Sequence, residues 1–97
     1  MNIDFSRKKG EIVFNELSLK DNTSLNDQLD NLKEDMLQVE FPDGYILDVG
    51  WKPSFDINGK FHVYLIKDFD WGDPVYFGIA NDISSLLSEI NKAIRKT

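Results

Sequence analysis

The fold is most clearly predicted by residues 37–67, LQVEFPDGYILDVGWKPSFDINGKFHVYLIK. Three stretches of this segment have side-chain patterns that are typical of β-strands. The alternation over residues 37–41 predicts a half-buried strand, and that over residues 45–51 predicts a second one. Residues 61–67 predict a third strand with largely apolar side chains on both faces. A strand that is apolar on both sides is expected at the centre of a sheet.

Two turns separate these strands. Pro42 presets its φ and Gly44 permits a positive φ, so residues 42–44 predict a tight turn between the first two strands. Asn58-Gly59 is a strong short-range hairpin signal and predicts the return into the third strand. The segment is therefore expected to fold as an antiparallel meander.

Further strands are predicted on either side of this meander. Residues 3–6 and 11–19 predict two strands joined by a turn, with Gly10 supplying backbone freedom. Residues 75–80 predict a last strand that alternates in the same way. Its bulky apolar side chains are expected to point into the core: Val75, Phe77 and Ile79.

Two amphipathic helices complete the prediction. Ser24 is a candidate N-cap, and one apolar stripe follows it at helical spacing: Leu25, Leu29, Leu32 and Met36. Asn81-Asp82 offers a cap for a final helix with a broad apolar face. That face consists of Ile83, Leu86, Leu87, Ile90 and Ile94.

The predicted order β-β-α-β-β-β-β-α, with short connections, indicates the α+β class. We expect a mostly antiparallel sheet of five to six strands with the two helices packed on one face. At 97 residues, the chain is expected to form one α+β domain over residues 1–97.

The charge of the chain is uneven. Its formal net charge is −6, yet residues 21–48 carry eight carboxylates against Lys33 alone. Basic residues sit near the two chain ends instead, at 7–9 and at 92–96. An acidic surface repels phosphate and attracts cationic proteins, although acidity can also serve solubility alone. The eight carboxylates belong to Asp21, Asp27, Asp30, Glu34, Asp35, Glu40, Asp43 and Asp48.

The expected location of the chain is the cytoplasm. It has no cysteine, which is compatible with a reducing compartment, and no stretch approaches the roughly 20 apolar residues of a membrane span. Asp4 stands where a signal peptide would carry cations. We therefore expect a soluble cytoplasmic protein with no membrane contact.

Few residues could support catalysis. His62 is the only histidine and is expected to be a packed strand residue, so no nucleophilic pair or histidine-rich metal site can form. Asp68, Asp70 and Asp73 could act as acid and base or bind calcium. A calcium loop, however, would need glycine and glutamate where Asp73 and Ile79 stand. We assign no reaction, cofactor or metal.

Aromatic and acidic side chains alternate at the predicted sheet edges, and this pattern favours partner binding. Trp71 lies in a loop with Asp68, Asp70 and Asp73, where it could anchor an interface or cap the core. Trp51 continues an inward face and is expected in the core. The outer side of the first helix, with Asp27, Asp30 and Glu34, is the rival contact surface.

The segments 47–53 (LDVGWKP), 58–61 (NGKF) and 66–71 (IKDFDW), followed by Pro74, give the C-terminal half a family resemblance. This half resembles the immunity proteins, or antitoxins, of bacterial contact-dependent growth inhibition and polymorphic toxin systems. The resemblance implies a non-enzymatic inhibitor that binds a cognate toxin C-terminal domain. It also implies that this domain is a nuclease with a basic nucleic-acid-binding cleft, which an acidic protein could fill.

Other functions stay open at this stage. The main alternative is a generic small protein-binding or adaptor domain unrelated to toxins, and an enzyme that uses the aspartate loop comes after it. Direct nucleic-acid binding ranks last, because the basic residues sit at the two chain ends rather than along an aromatic platform. The sequence leaves the oligomeric state undetermined.

Overall fold

A five-stranded antiparallel sheet forms the centre of the molecule in a computed structural model that describes residues 3–97. The strands follow chain order across the sheet: β1 (Glu11–Asn15), β2 (Leu37–Phe41), β3 (Tyr45–Lys52), β4 (Lys60–Lys67) and β5 (Tyr76–Ala80). Helix α1 (Ile83–Ile94) follows β5. Short 3-10 segments cover Ser6–Lys8, Leu25–Asn31 and Pro42–Gly44. The predicted α+β class with an antiparallel sheet is confirmed.

The meander follows the predicted register. Leu47 of β3 lies opposite Val39 of β2 on one side and Leu65 of β4 on the other. Strand β4 runs between β3 and β5, in the interior position expected from its two apolar faces. The turn over Pro42–Gly44 has Asp43 at φ 68° and Gly44 at φ 82°, so Gly44 occupies a conformation that favours glycine.

One face of the sheet, called here the covered face, packs against α1 and the segment before β2. Trp51 and Phe61 meet edge to face, with ring centroids 4.7 Å apart, and Leu86 and Ile90 of α1 are fully buried in the same core. The Trp51 indole N–H donates to the Asp56 carbonyl at 2.8 Å. The expectation that Trp51 belongs to the core is confirmed.

The first predicted helix forms as 3-10 turns rather than as an α-helix. Its apolar stripe does turn inward, with Leu32 and Met36 buried. The helical path is broken at Gln28, whose φ is −134° and whose buried side chain bonds to the backbone of Lys20 and Thr23. Residues 26, 27, 30 and 31 are Asn or Asp, which compete for backbone hydrogen bonds and weaken an α-helix.

The first predicted strand is wrong. Residues 3–5 belong to no strand, and a 3-10 turn over Ser6–Lys8 follows them. The Asp4 carboxylate accepts hydrogen bonds from both the Ser6 N–H and its hydroxyl, which favours the turn. The second predicted strand is shorter than expected and ends at Asn15, whose side chain accepts from the Leu17 N–H.

The faces of β5 are the reverse of the prediction. Phe77 and Ile79 are 45% and 47% exposed, whereas Gly78 and Ala80 are buried beneath α1. A Cβ on Gly78 would crowd the Glu89 side chain of α1, so glycine favours the close approach of the helix at this position. Close packing of the helix therefore places the small side chains inward and leaves the bulky ones outside.

Within residues 3–97, no helix has the length and apolar character needed to cross a bilayer.

Candidate protein-binding surface

The face of the sheet opposite α1, called here the open face, carries large exposed side chains. No helix of residues 3–97 packs on it, because α1 and the segment before β2 both contribute to the core on the covered face. Tyr64 of β4 and Phe77 and Ile79 of β5 lie on this face, toward the β5 edge of the sheet. Exposed apolar groups on a sheet face mark a surface at which another molecule can remove them from water.

Aromatic rings form a continuous patch on this face. The rings of Tyr64 and Phe77 lie 4.8 Å apart, and His62 lies 5.8 Å from Phe77 and 6.3 Å from Tyr64. Lys52 places its Nζ 5.5 Å from the centroid of Tyr64. Ring contacts of this kind hold the side chains in place, so a partner would meet a preorganised surface.

His62 takes part in this patch as a neutral ring. Burial lowers the pKa of His62, and the nearby Lys52 charge lowers it further. Its Nδ1 is buried and has no hydrogen-bond partner among the described residues. The expectation that His62 is a packed strand residue agrees with this environment, although the residue faces outward rather than into the core.

A carboxylate groove lies beside the aromatic patch. Phe14, Asp35, Gln38 and Asp48 line this groove of about 330 Å³. Asp48 is half-buried, and burial raises its pKa. The negative charge of Asp35 raises that pKa further, while Lys52 lowers it. The groove thus holds two interacting carboxylates next to an exposed phenyl ring.

Backbone geometry brings Asp35 to this groove. The Trp51 N–H donates to the Lys33 carbonyl and the Met36 N–H donates to the Val49 carbonyl, so the two residues between Lys33 and Met36 bulge from the sheet. They pass over Gly50, where a Cβ would collide with the Glu34 carbonyl oxygen. Glycine at position 50 is therefore required for Glu34 and Asp35 to border the open face.

The tryptophan loop, defined as residues 68–74, lies at the opposite end of the open face. Its predicted contact residues are all exposed: Asp68, Asp70, Trp71 and Asp73. Trp71 is 46% exposed, and Phe69 lines a shallow groove with Ile46 and Glu40. The loop is tied to the β2–β3 turn by a hydrogen bond from the Asp68 N–H to the Gly44 carbonyl.

The rival acidic residues Asp27, Asp30 and Glu34 are also exposed, but they lie at the other end of the sheet. The tryptophan loop follows Lys67, which lies opposite Tyr45 at the start of β3. Glu34 instead lies over Gly50, near the end of β3. The length of β3 separates the two groups by roughly 23 Å at the usual strand rise. The structure therefore does not bring the two predicted surfaces together. Glu34 borders the open face over Gly50, whereas Asp27 and Asp30 belong to the segment that packs on the covered face.

The basic residues of the two chain ends, in contrast, do meet. Arg7 and Lys8 share one groove with Arg95, and Lys92 and Lys96 adjoin Arg95 in a second groove beside Tyr76. Helix α1 runs back from the end of β5, so its C-terminus lies at the tryptophan-loop end on the covered face. The basic residues near the two chain ends thus gather at the tryptophan-loop end, whereas Lys52 and Lys60 lie side by side at the other end of the sheet.

No set of three or more Asp, Glu or His side chains within residues 3–97 is arranged to hold a metal ion. The aspartates of the tryptophan loop are exposed.

Comparison of the chain with family models, with curated proteins and with solved structures finds no match.

The open face is the feature that sequence reasoning missed. Phe77 and Ile79 were predicted to lie in the core because they are large apolar side chains at alternate positions of a strand. The correct orientation was indicated by the other face of that strand, where Gly78 and Ala80 leave room for a helix. Two small residues at alternate positions, followed at once by an amphipathic helix, indicate which side that helix covers.

Proposed function

We propose that this chain is a non-enzymatic, cytoplasmic immunity protein that binds and neutralises a bacterial toxin domain through its open face. The observation that carries the proposal is the patch of half-buried Tyr64 and exposed Phe77 and Ile79, beside the carboxylates of Asp35 and Asp48. The family resemblance of residues 47–74 supplies the toxin as partner.

The aromatic patch supports tight binding to a protein. Interfaces gain most of their free energy from a few aromatic or aliphatic anchors that are fully desolvated at the centre of the contact. Tyr64 and Phe77 are held by mutual ring contact, so little side-chain entropy would be lost on binding. A flat sheet face with such anchors suits a protein surface better than a small molecule.

The surrounding charges favour a cationic partner. Asp35 and Asp48 face the open groove, and Glu34, Asp27 and Asp30 extend the negative charge to the adjoining end of the molecule. The catalytic domain of a nuclease presents a basic cleft, which an acidic protein can occupy in place of nucleic acid. We propose a nuclease domain as the target for this reason.

The test is calorimetric titration of the chain with the toxin domain encoded beside it. We expect a one-to-one complex and a loss of roughly 2 kcal/mol of binding free energy, or about thirtyfold in Kd, for Tyr64→Ala. Phe55→Ala is the matched control, because Phe55 is 55% exposed but lies in the β3–β4 loop. Thermal unfolding of both variants verifies that the sheet persists.

Equal losses for Tyr64→Ala and Phe55→Ala would contradict the assignment of the open face. Failure of the toxin domain to bind, combined with capture of an unrelated cationic protein by the same face, would favour the alternative of an adaptor domain.

A further inference from the structure

The two edges of the sheet differ in how well they resist pairing with another strand. An edge strand has one side of its backbone without a strand neighbour, and proteins usually protect such edges with charges, bulges or proline. Strand β1 has such devices, because its register shifts between Ile12 and Phe14 and it contains Glu11 and polar Asn15. It is therefore a poor template for another strand.

Strand β5 has no such protection. Its residues Tyr76–Ala80 contain no charge and no proline, and their register against β4 is unbroken from Tyr76 to Ala80. Phe77 and Ile79 expose nearly half of their side-chain surface beside this edge. From this contrast we infer that β5 is a pairing edge, through which two copies of this chain form an antiparallel dimer with twofold symmetry.

The sequence of β5 is complementary to itself in one register. A twofold axis at Gly78 places Phe77 opposite Ile79 of the second copy, and Ile79 opposite the second Phe77. Both pairs lie on the open face, where aromatic–aliphatic neighbours stabilise a strand pair. On the covered face, Tyr76 then faces Ala80, so a large side chain meets a small one.

The helices permit this arrangement. Helix α1 packs against both β4 and β5, so its axis lies about half a strand spacing inside β5. Two sheets joined at β5 would then hold their helices roughly 10 Å apart, which is the separation of packed helices. Glu89, which lies over Gly78 near the axis, is already paired with Lys92 at 3.2 Å and bound by the Tyr76 hydroxyl.

The dimer and the proposed toxin complex are expected to depend on ionic strength in opposite ways. Each copy has a formal charge of −6, so the two copies repel one another and added salt strengthens the dimer. A complex between an acidic protein and a basic toxin domain weakens with salt instead. The dimer does not depend on the proposed function, and either can fail without the other.

The test is sedimentation velocity of the full chain over a wide concentration range, alone and without any partner. We expect a reversible monomer–dimer equilibrium, with the association constant for Ile79→Lys lowered by about tenfold or more, because twofold symmetry applies each substitution twice. Ile12→Lys is the matched control, since Ile12 is 48% exposed on the opposite edge. Circular dichroism verifies the fold of both variants.

Hydrogen exchange on the unmodified chain provides a test that needs no variant. Amide protection over residues 76–80 should rise with protein concentration, while that over residues 11–15 stays constant. A monomer at every attainable concentration would overturn the inference. So would a dimer that Ile12→Lys disrupts as strongly as Ile79→Lys, or one whose β5 amides exchange at a constant rate.

Discussion

At the scale of single residues, Asp48 shows how the fold opposes the ionisation of one of its own carboxylates. Asp48 lies in the middle of β3, opposite Gln38 on one side and Tyr64 on the other. Burial removes water from its carboxylate, and Asp35 adds a like charge nearby. Both effects raise the pKa of Asp48 above its ordinary value of 3.8.

This shift predicts a specific pH dependence of stability. Between the unfolded pKa near 3.8 and the raised folded pKa, the native state binds more protons than the unfolded state. The free energy of unfolding therefore falls as pH rises through that window. Asp48→Asn removes the penalty, so we expect this variant to be more stable than the unmodified chain at pH 7, with the difference shrinking as pH falls through that window and lost below the unfolded pKa near 3.8. Urea titrations at several pH values measure this difference in the free energy of unfolding.

Asp82→Asn is the contrasting variant. The pKa of Asp82 is lowered by its hydrogen bond with the Ser85 N–H, so this group stabilises the native state at neutral pH and loses that effect in acid. A stability gain in Asp48→Asn that persisted unchanged in acid would refute the electrostatic explanation.

At the scale of elements, the segment before β2 depends on a single buried amide. The Gln28 side chain accepts from the Lys20 N–H at 2.9 Å and donates to the carbonyls of Lys20 and Thr23. These bonds hold the 3-10 turns of Leu25–Asn31 against the preceding loop and allow Leu32 to reach the core. They also position the exposed carboxylates of Asp27 and Asp30.

We therefore expect Gln28→Ala to destabilise the protein by about 1–3 kcal/mol, because it leaves part-buried backbone groups without partners. Asn26→Ala is the matched control, since Asn26 belongs to the same segment but is exposed. Chemical denaturation measures both. A loss for Asn26→Ala as large as that for Gln28→Ala would show that segment composition, rather than the buried amide, controls stability.

At the scale of the whole molecule, the carboxylates of the two predicted surfaces have different charged neighbours. Asp27, Asp30 and Glu34 lie at one end, whereas the tryptophan loop shares its end with the cations of Arg7, Lys8 and α1. The carboxylates of the loop are therefore partly offset by neighbouring positive charge. A cationic partner should be steered mainly toward the end that carries Glu34.

This asymmetry predicts different effects for two sets of charge reversals. Replacing Asp27, Asp30 and Glu34 with lysine should lower the association rate with the toxin domain by roughly tenfold at low salt. The same replacement at Asp68, Asp70 and Asp73 should have a smaller effect. Stopped-flow association at several ionic strengths measures both, and high salt should remove the difference. The opposite ranking would place the steering surface at the tryptophan loop.

Local patterns in the sequence suffice to predict the class of fold and most of the sheet. Alternation in residues 37–67, together with the turn residues at Pro42–Gly44 and Asn58-Gly59, predicted the order and faces of β2, β3 and β4. The cap at Asp82 predicted the start of α1. These features are local, because the period of the side chains and the φ preferences of single residues act within a few positions.

Packing between distant segments selects the surface that is free for a partner. Side chains alternate between the two faces of β5, so the alternation alone does not tell which face is buried. The close approach of α1 over Gly78 places the small residues in the core. The same long-range packing placed Glu34 and Asp35 over Gly50 and joined the basic residues of the two chain ends. Such choices depend on contacts between distant segments, because close packing fills the interior by shape as well as by hydrophobicity.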